Sequence, residues 1–141
     1  MPSIRSTVLL TLTLALSSID LCVAKDYSNT CTDIHMAGDC HSLVATCTAF
    51  KGNKKTSKLD LNHCFGNDNG FIVPSNDGNA FPGDCRRTGY KCELCGIHDG
   101  GIMCLCPRRG LMQNSAWADL DEAISNHNGV LSCFGHVGEV L

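Results

Sequence analysis

Charge is scarce in this sequence, and aromatic surface is scarcer. Charged residues make up 18% of the 141-residue chain and aromatic residues 6%. With a formal net charge of −3 and 43% hydrophobic residues, the chain is too apolar to stay disordered. It has no basic excess, which argues against a dedicated nucleic-acid binder. No long apolar run follows residue 24, so no membrane insertion is expected. There is no Gly-rich phosphate loop, and the six histidines are scattered without a Ser-His-Asp or Cys-His signature. The length suits one domain.

What is present begins with a leader pattern. Arg5 supplies a positive charge, Val8 to Leu16 is an apolar or Thr run, and Cys22-Val23-Ala24 resembles a cleavage site. Asp20 interrupts the run, which is too short to span a bilayer. The expectation is a signal peptide over residues 1–24 and a secreted, extracellular domain over 25–141. Cleavage would remove Cys22 and leave Cys31, Cys40, Cys47, Cys64, Cys85, Cys92, Cys95, Cys104, Cys106 and Cys133. An even count in a secreted chain implies a disulfide framework.

The chain also repeats itself. Asp60 to Gly70 aligns with Asp119 to Gly129 at an offset of 59, with five of eleven positions identical. Cys47 and Cys106 each stand 13 residues ahead of the aspartate. Cys31 and Cys85 are read as opening the two copies. Their spacings to the next shared cysteine are 16 and 21, which would give copy two five extra residues. The grammar is all-β. Short strands are expected over His41 to Phe50 and Gly101 to Cys106, followed by polar turns at Lys51 to Lys55 and Pro107 to Asn114. Asp60 and Asp119 can each cap a single helical turn. Asn69-Gly70 and Asn128-Gly129 suit hairpin turns in which both residues take positive φ. Phe71-Ile72-Val73 and Val130-Leu131 are the return strands. Gly78 to Gly83 joins repeat one (about 27–78) to repeat two (about 79–135). Two copies are too few for a solenoid and must share a core.

Several features look chemical and have simpler explanations. Cys92-x-x-Cys95 with Cys104-x-Cys106, and His98 between them, resembles a four-thiolate zinc pattern. In a secreted chain those thiols oxidise, so bridges are expected and neither a metal nor a cofactor. No thioredoxin-like βαβ pattern surrounds them for redox chemistry. Asp119, Asp121 and Glu122 stand at the start of a helical turn, where capping and the helix dipole explain acidity better than catalysis. Lys51, Lys54, Lys55 and Lys58 read as a solvated loop, and Trp117 as packing.

The repeat, its motif and its cysteine spacing together resemble the cyanovirin-N homology family. The likeness rests on Lys58-Leu59-Asp60-Leu61-Asn62 through Gly70, on Ala118-Asp119-Leu120-Asp121 through Leu131, and on Cys47 and Cys106. It covers roughly residues 27 to 135. Cys64, Cys104 and Cys133 look like a Cys-rich secreted branch. The resemblance implies two pseudosymmetric lobes, each a three-stranded sheet covered by the β-hairpin of the other repeat. Leu61, Phe65 and Ile72 would then bury against repeat two, and Leu120, Ile124 and Leu131 against repeat one. It implies Cys31–Cys47 and Cys85–Cys106 bridges. The other six cysteines allow 15 pairings. Cys64 and Cys133 should each lie near the opposite repeat and are candidates to tie the two together.

The function it implies is non-catalytic binding of mannose-type or related glycans. One family pocket maps onto Asn29, Thr30, Thr48, Phe50, Asn126, His127 and Asn128. Phe50 and Asn128 depart from the family's pattern there. The other maps onto Gly66, Asn67, Asn79, Gly83, Asp84, Arg108 and Arg109, with Pro107 and Gly83 replacing polar side chains. Turn chemistry explains Asn69 and Asn128. Asn67 and Asn126 lie two residues earlier and are candidates for touching ligand. Two sites would add avidity if geometry lets both engage. The alternative is a secreted scaffold that binds a protein partner and no sugar. A monomer and a domain-swapped dimer are both compatible with exchanged hairpins.

Overall fold

The computed structural model describes residues 27–141. The leader read over 1–24 and Cys22 lie outside the described residues. Repeat one runs through β1 (Cys31–Met36), β2 (Ser42–Thr48) and β3 (Lys54–Asp60), then the hairpin β4 (Phe65–Asp68) and β5 (Phe71–Pro74). Repeat two runs through β6 (Glu93–His98), β7 (Gly101–Arg108) and β8 (Met112–Asp119), then β9 (Ser125–His127) and β10 (Val130–Cys133). Two short strands close the chain, β11 (His136–Val137) and β12 (Glu139–Val140). Among the described residues, helix is confined to single 3-10 turns at Tyr27–Asn29, Leu61–His63 and Leu120–Glu122. Among the described residues no helix is long and apolar enough to cross a membrane.

The local signals behave as their chemistry requires. The Asp60 and Asp119 carboxylates accept from the backbone N–H groups of Asn62 and Asp121, both at 2.9 Å, and cap their 3-10 turns. Asn69-Gly70 and Asn128-Gly129 take positive φ at both positions and close the β4–β5 and β9–β10 hairpins. The polar turns are shorter than expected. β3 already begins at Lys54, and β7 and β8 leave only Arg109 to Leu111 between them. Polar residues occupy the solvent face of these strands, so polarity alone overstated the loops.

Each hairpin leaves its own sheet. β5 packs on β8, and β10 packs on β3 and β2. Leu61, Phe65, Leu120, Ile124 and Leu131 are fully sequestered and Ile72 nearly so, all in one core shared by both repeats. Burying each such side chain contributes about 1.5–3 kcal/mol, which neither repeat can collect alone. The first sheet gains a strand, because β12 pairs with β3 to give the order β1-β2-β3-β12. β11 extends the second hairpin in the same way.

Five disulfides join the ten cysteines among the described residues: Cys31–Cys47, Cys40–Cys85, Cys64–Cys133, Cys92–Cys106 and Cys95–Cys104. The expected Cys85–Cys106 bridge does not form. Glu93 pairs with Leu105 across β6 and β7, which sets Cys92 against Cys106. Cys85 lies earlier, in the connector, and bridges to the loop between β1 and β2. Cys92 is therefore the counterpart of Cys31. Copy two is not five residues longer there but two shorter, with a separation of 14 against 16. The difference is in the turn, since β6 and β7 are joined by Asp99-Gly100 alone, both with positive φ. Cys64–Cys133 does tie the two repeats together. Two of these bridges take up the four cysteines of the zinc-like pattern, so no thiolate is left to bind metal.

Candidate functional site

Both regions picked out by sequence lie where a hairpin tip of one repeat meets a sheet end of the other. At the first, Thr30 precedes β1 and Thr48 ends β2, and Thr48 N–H donates to Thr30 O at 2.9 Å. The tip of β9–β10 docks on this pair. Asn126 Nδ2 donates to Thr30 Oγ1 at 3.0 Å and to Thr48 O at 2.9 Å, while its Oδ1 accepts from Gly129 N at 2.7 Å. Asn128 Oδ1 accepts from Phe50 N at 2.9 Å, and Lys55 Nζ donates to Asn128 O at 3.2 Å. Thr30, Thr48, Asn126 and Asn128 are thus one cluster. Asn29 and His127 flank it, both exposed.

The second region repeats the arrangement. Asn67 Nδ2 donates to Pro107 O at 2.9 Å, and Asn67 Oδ1 accepts from Gly70 N at 2.8 Å. Asn69 Oδ1 accepts from Arg109 N at 2.8 Å. Asn67 and Asn126 therefore do the same structural work in the two halves, and so do Asn69 and Asn128. Each amide pins a hairpin tip to the opposite repeat. Turn chemistry explained only part of this, because the partners lie 40 to 96 residues away.

The remaining residues of the second region spread over the connector and the β7–β8 turn. Asn79 bridges Gly66 of β4, and its carbonyl accepts from Lys91 Nζ at 2.6 Å. Asp84 lines a cavity of about 360 Å³ with Pro82, Gly83, Thr88, Tyr90 and Lys91. Arg108 lines one of about 590 Å³ with Gly89, Tyr90, Pro107, Leu111, Met112 and Gln113. Tyr90 is 85% exposed and lines both. Sequence reasoning missed it. The available signal was an aromatic beside Gly89 in the polar stretch that follows Gly83.

Other carboxylates are occupied by the fold. Asp121 accepts from Ser28 N at 3.0 Å and from the Ser28 hydroxyl, holding the incoming segment of repeat one. Burial pushes the Tyr27 phenol well above its ordinary range, and the nearby Asp121 and Asp119 charges add to this. Glu93 is buried, which alone would raise its carboxyl. Donors from Thr88 and Gly89, and the Arg87 guanidinium, hold it below its ordinary value. At Asp39, burial likewise opposes ionisation. It is overcome by Lys58 Nζ at 2.9 Å and by the His41 and Ser42 N–H groups, so the carboxyl lies well below the usual range. Lys55 and Lys58 of the basic run are thus partnered. Trp117 is half-exposed and its Nε1 donates to His98 O at 2.9 Å.

The CVNH domain model matches residues 27–132. No curated protein sequence matches the chain. Among solved structures, a MoCVNH3 variant in complex with (N-GlcNAc)4 is 22% identical with a TM-score of 0.61, over 78% of this chain and 97% of that one. The CVNH protein of Gibberella zeae is 20% identical with a TM-score of 0.62, over 79% and 99%. The microvirin:mannobiose complex is 25% identical with a TM-score of 0.54, over 76% and 96%.

Proposed function

The chain belongs to the CVNH domain family, and on that premise we propose that it is a non-catalytic carbohydrate-binding lectin. The observation that carries the reading is the match over nearly all the described residues, joined to two similar structures that hold glycans. We propose further that residues 1–24 are a leader, that 25–141 form one secreted domain, and that the glycan is mannose-type or closely related. Five disulfides suit an oxidising compartment.

The second region is the better-built surface. A pyranose presents an apolar C–H face and a ring of hydroxyls. Tyr90 offers an aromatic face, and Arg108, Gln113 and Asp84 offer donors and acceptors around it. Several hundred Å³ suits one or two sugar rings. The first region contributes exposed Asn29, Thr30, Thr48 and His127. Its Asn126 has both side-chain ends already engaged, so it shapes the surface rather than greeting a ligand.

A second reading is a protein-binding scaffold. It is favoured by Tyr90, Leu111 and Met112, three exposed apolar side chains around one cavity. A glycan-array screen of the oxidised chain separates the two. The lectin reading expects binding to mannosides or N-acetylglucosamine oligomers, weakened by Arg108→Ala or Tyr90→Ala without loss of thermal stability. No binding from fully disulfide-paired protein would move the assignment to the protein partner.

A further inference from the structure

Away from both glycan regions, three side chains from three segments converge at the seam between the repeats. His63 ends the 3-10 turn of repeat one. Asp77 stands in the loop after β5 with φ of 53°, its N–H donating to His63 O at 3.1 Å. His136 opens β11. The Cys64–Cys133 bridge fixes the backbone on both sides, since Cys64 follows His63 and Cys133 pairs with His136 across β10 and β11.

His63 Nδ1 lies 2.6 Å from Asp77 Oδ1, and His136 Nε2 lies 3.2 Å from the same oxygen. The three atoms all fall within 4.8 Å of one another. Asn76 Oδ1 adds a further oxygen at 3.0 Å from His136 Nε2. The imidazole rings stack with centroids 4.0 Å apart and planes 14° apart.

We propose that His63, Asp77 and His136 form a surface site for a divalent transition-metal ion of the zinc, nickel or copper(II) class. Imidazole nitrogens select these ions over calcium and magnesium, which prefer oxygen alone. Donors about 2.0–2.1 Å from a tetrahedral zinc lie about 3.3 Å apart, close to the His136–Asp77 spacing here. His63 must draw back from Asp77 and the rings must splay from their parallel stack. Both rings are partly exposed. Three protein ligands leave a position open to water or a further ligand. His63 also lines a polar cavity of about 320 Å³ with Lys58, Asp60, Val137, Gly138 and Glu139. The ion would clamp repeat one to the C-terminal strands, independently of any sugar.

The test is isothermal titration of tag-free, oxidised protein with ZnCl₂ and separately NiCl₂, with NMR of the histidine ring nitrogens. One ion per chain is expected, shifting the His63 and His136 rings. His136→Ala, and Asp77→Asn with its fold intact by circular dichroism, should each weaken binding at least about tenfold. His98→Ala, at another His–Asp pair, should leave it unchanged. Absence of saturable binding at about 1 mM zinc, or triad variants that bind like the parent, would overturn the site.

Discussion

Replacing Asn126 by alanine removes three hydrogen bonds, to Thr30 Oγ1, Thr48 O and Gly129 N. Two of them reach the opposite repeat. A net contribution of about 0.5–1.5 kcal/mol each, with the exposed bonds at the low end, gives a loss of about 2 kcal/mol. For a domain of this size that lowers Tm by roughly 6–10 °C. The assay is thermal melting of oxidised parent and variant by near-ultraviolet circular dichroism. The pseudosymmetric Asn67→Ala removes two bonds and should cost less, about 1–2 kcal/mol. A double-mutant cycle of Asn126→Ala with Thr30→Val should show coupling of at least about 0.5 kcal/mol. Melting of Asn126→Ala within about 1 °C of the parent would refute the pinning role and return Asn126 to the pool of free ligand contacts.

Replacing Cys64 and Cys133 together by serine opens a loop of 69 residues and should destabilise by about 4 kcal/mol in denaturant unfolding. Asp39→Asn keeps the acceptor for the His41 and Ser42 N–H groups but drops the charge facing Lys58, for a loss of about 1 kcal/mol at neutral pH. The folded carboxyl is depressed, so this stability is present above the ordinary pKa of about 3.9. It is lost as pH falls through the folded value, and the Tm gap between parent and variant should narrow in acid. Leu94 is exposed and holds φ of 54° at the β6 bulge. Leu94→Gly should stabilise by about 0.5–1 kcal/mol, since a left-handed backbone costs a side-chain-bearing residue about 1–2 kcal/mol and glycine's greater chain entropy offsets about 0.5–1 of that. An unchanged or lower Tm would contradict that.

The features legible in sequence were those whose cause is local. An aspartate caps the turn that follows it, and Asn-Gly takes positive φ wherever a hairpin closes. Exchange of the hairpins was legible only through the family resemblance and is carried by the apolar positions that match at the repeat offset. The Cys85 assignment failed because cross-strand pairing depends on register. Both opening strands carry a bulge, between Thr32 and His35 and between Glu93 and Gly96, and the turns after them differ in length. Counting residues between cysteines sees neither. The amide pins of Asn67 and Asn126 need the opposite repeat in place before their partners exist. The strands β11 and β12 are two residues each and carry too little pattern to read.

Carbohydrate recognition is tested most directly by titrating ¹⁵N-labelled, oxidised protein with mannobiose and with an N-acetylglucosamine tetramer, following backbone amides by NMR. Saturable shifts clustered at Asp84, Tyr90, Arg108 and Gln113, or at Thr30, Thr48 and His127, are the expected result. Spectra unchanged at millimolar concentrations of both sugars, from a protein with all five disulfides formed, would contradict it.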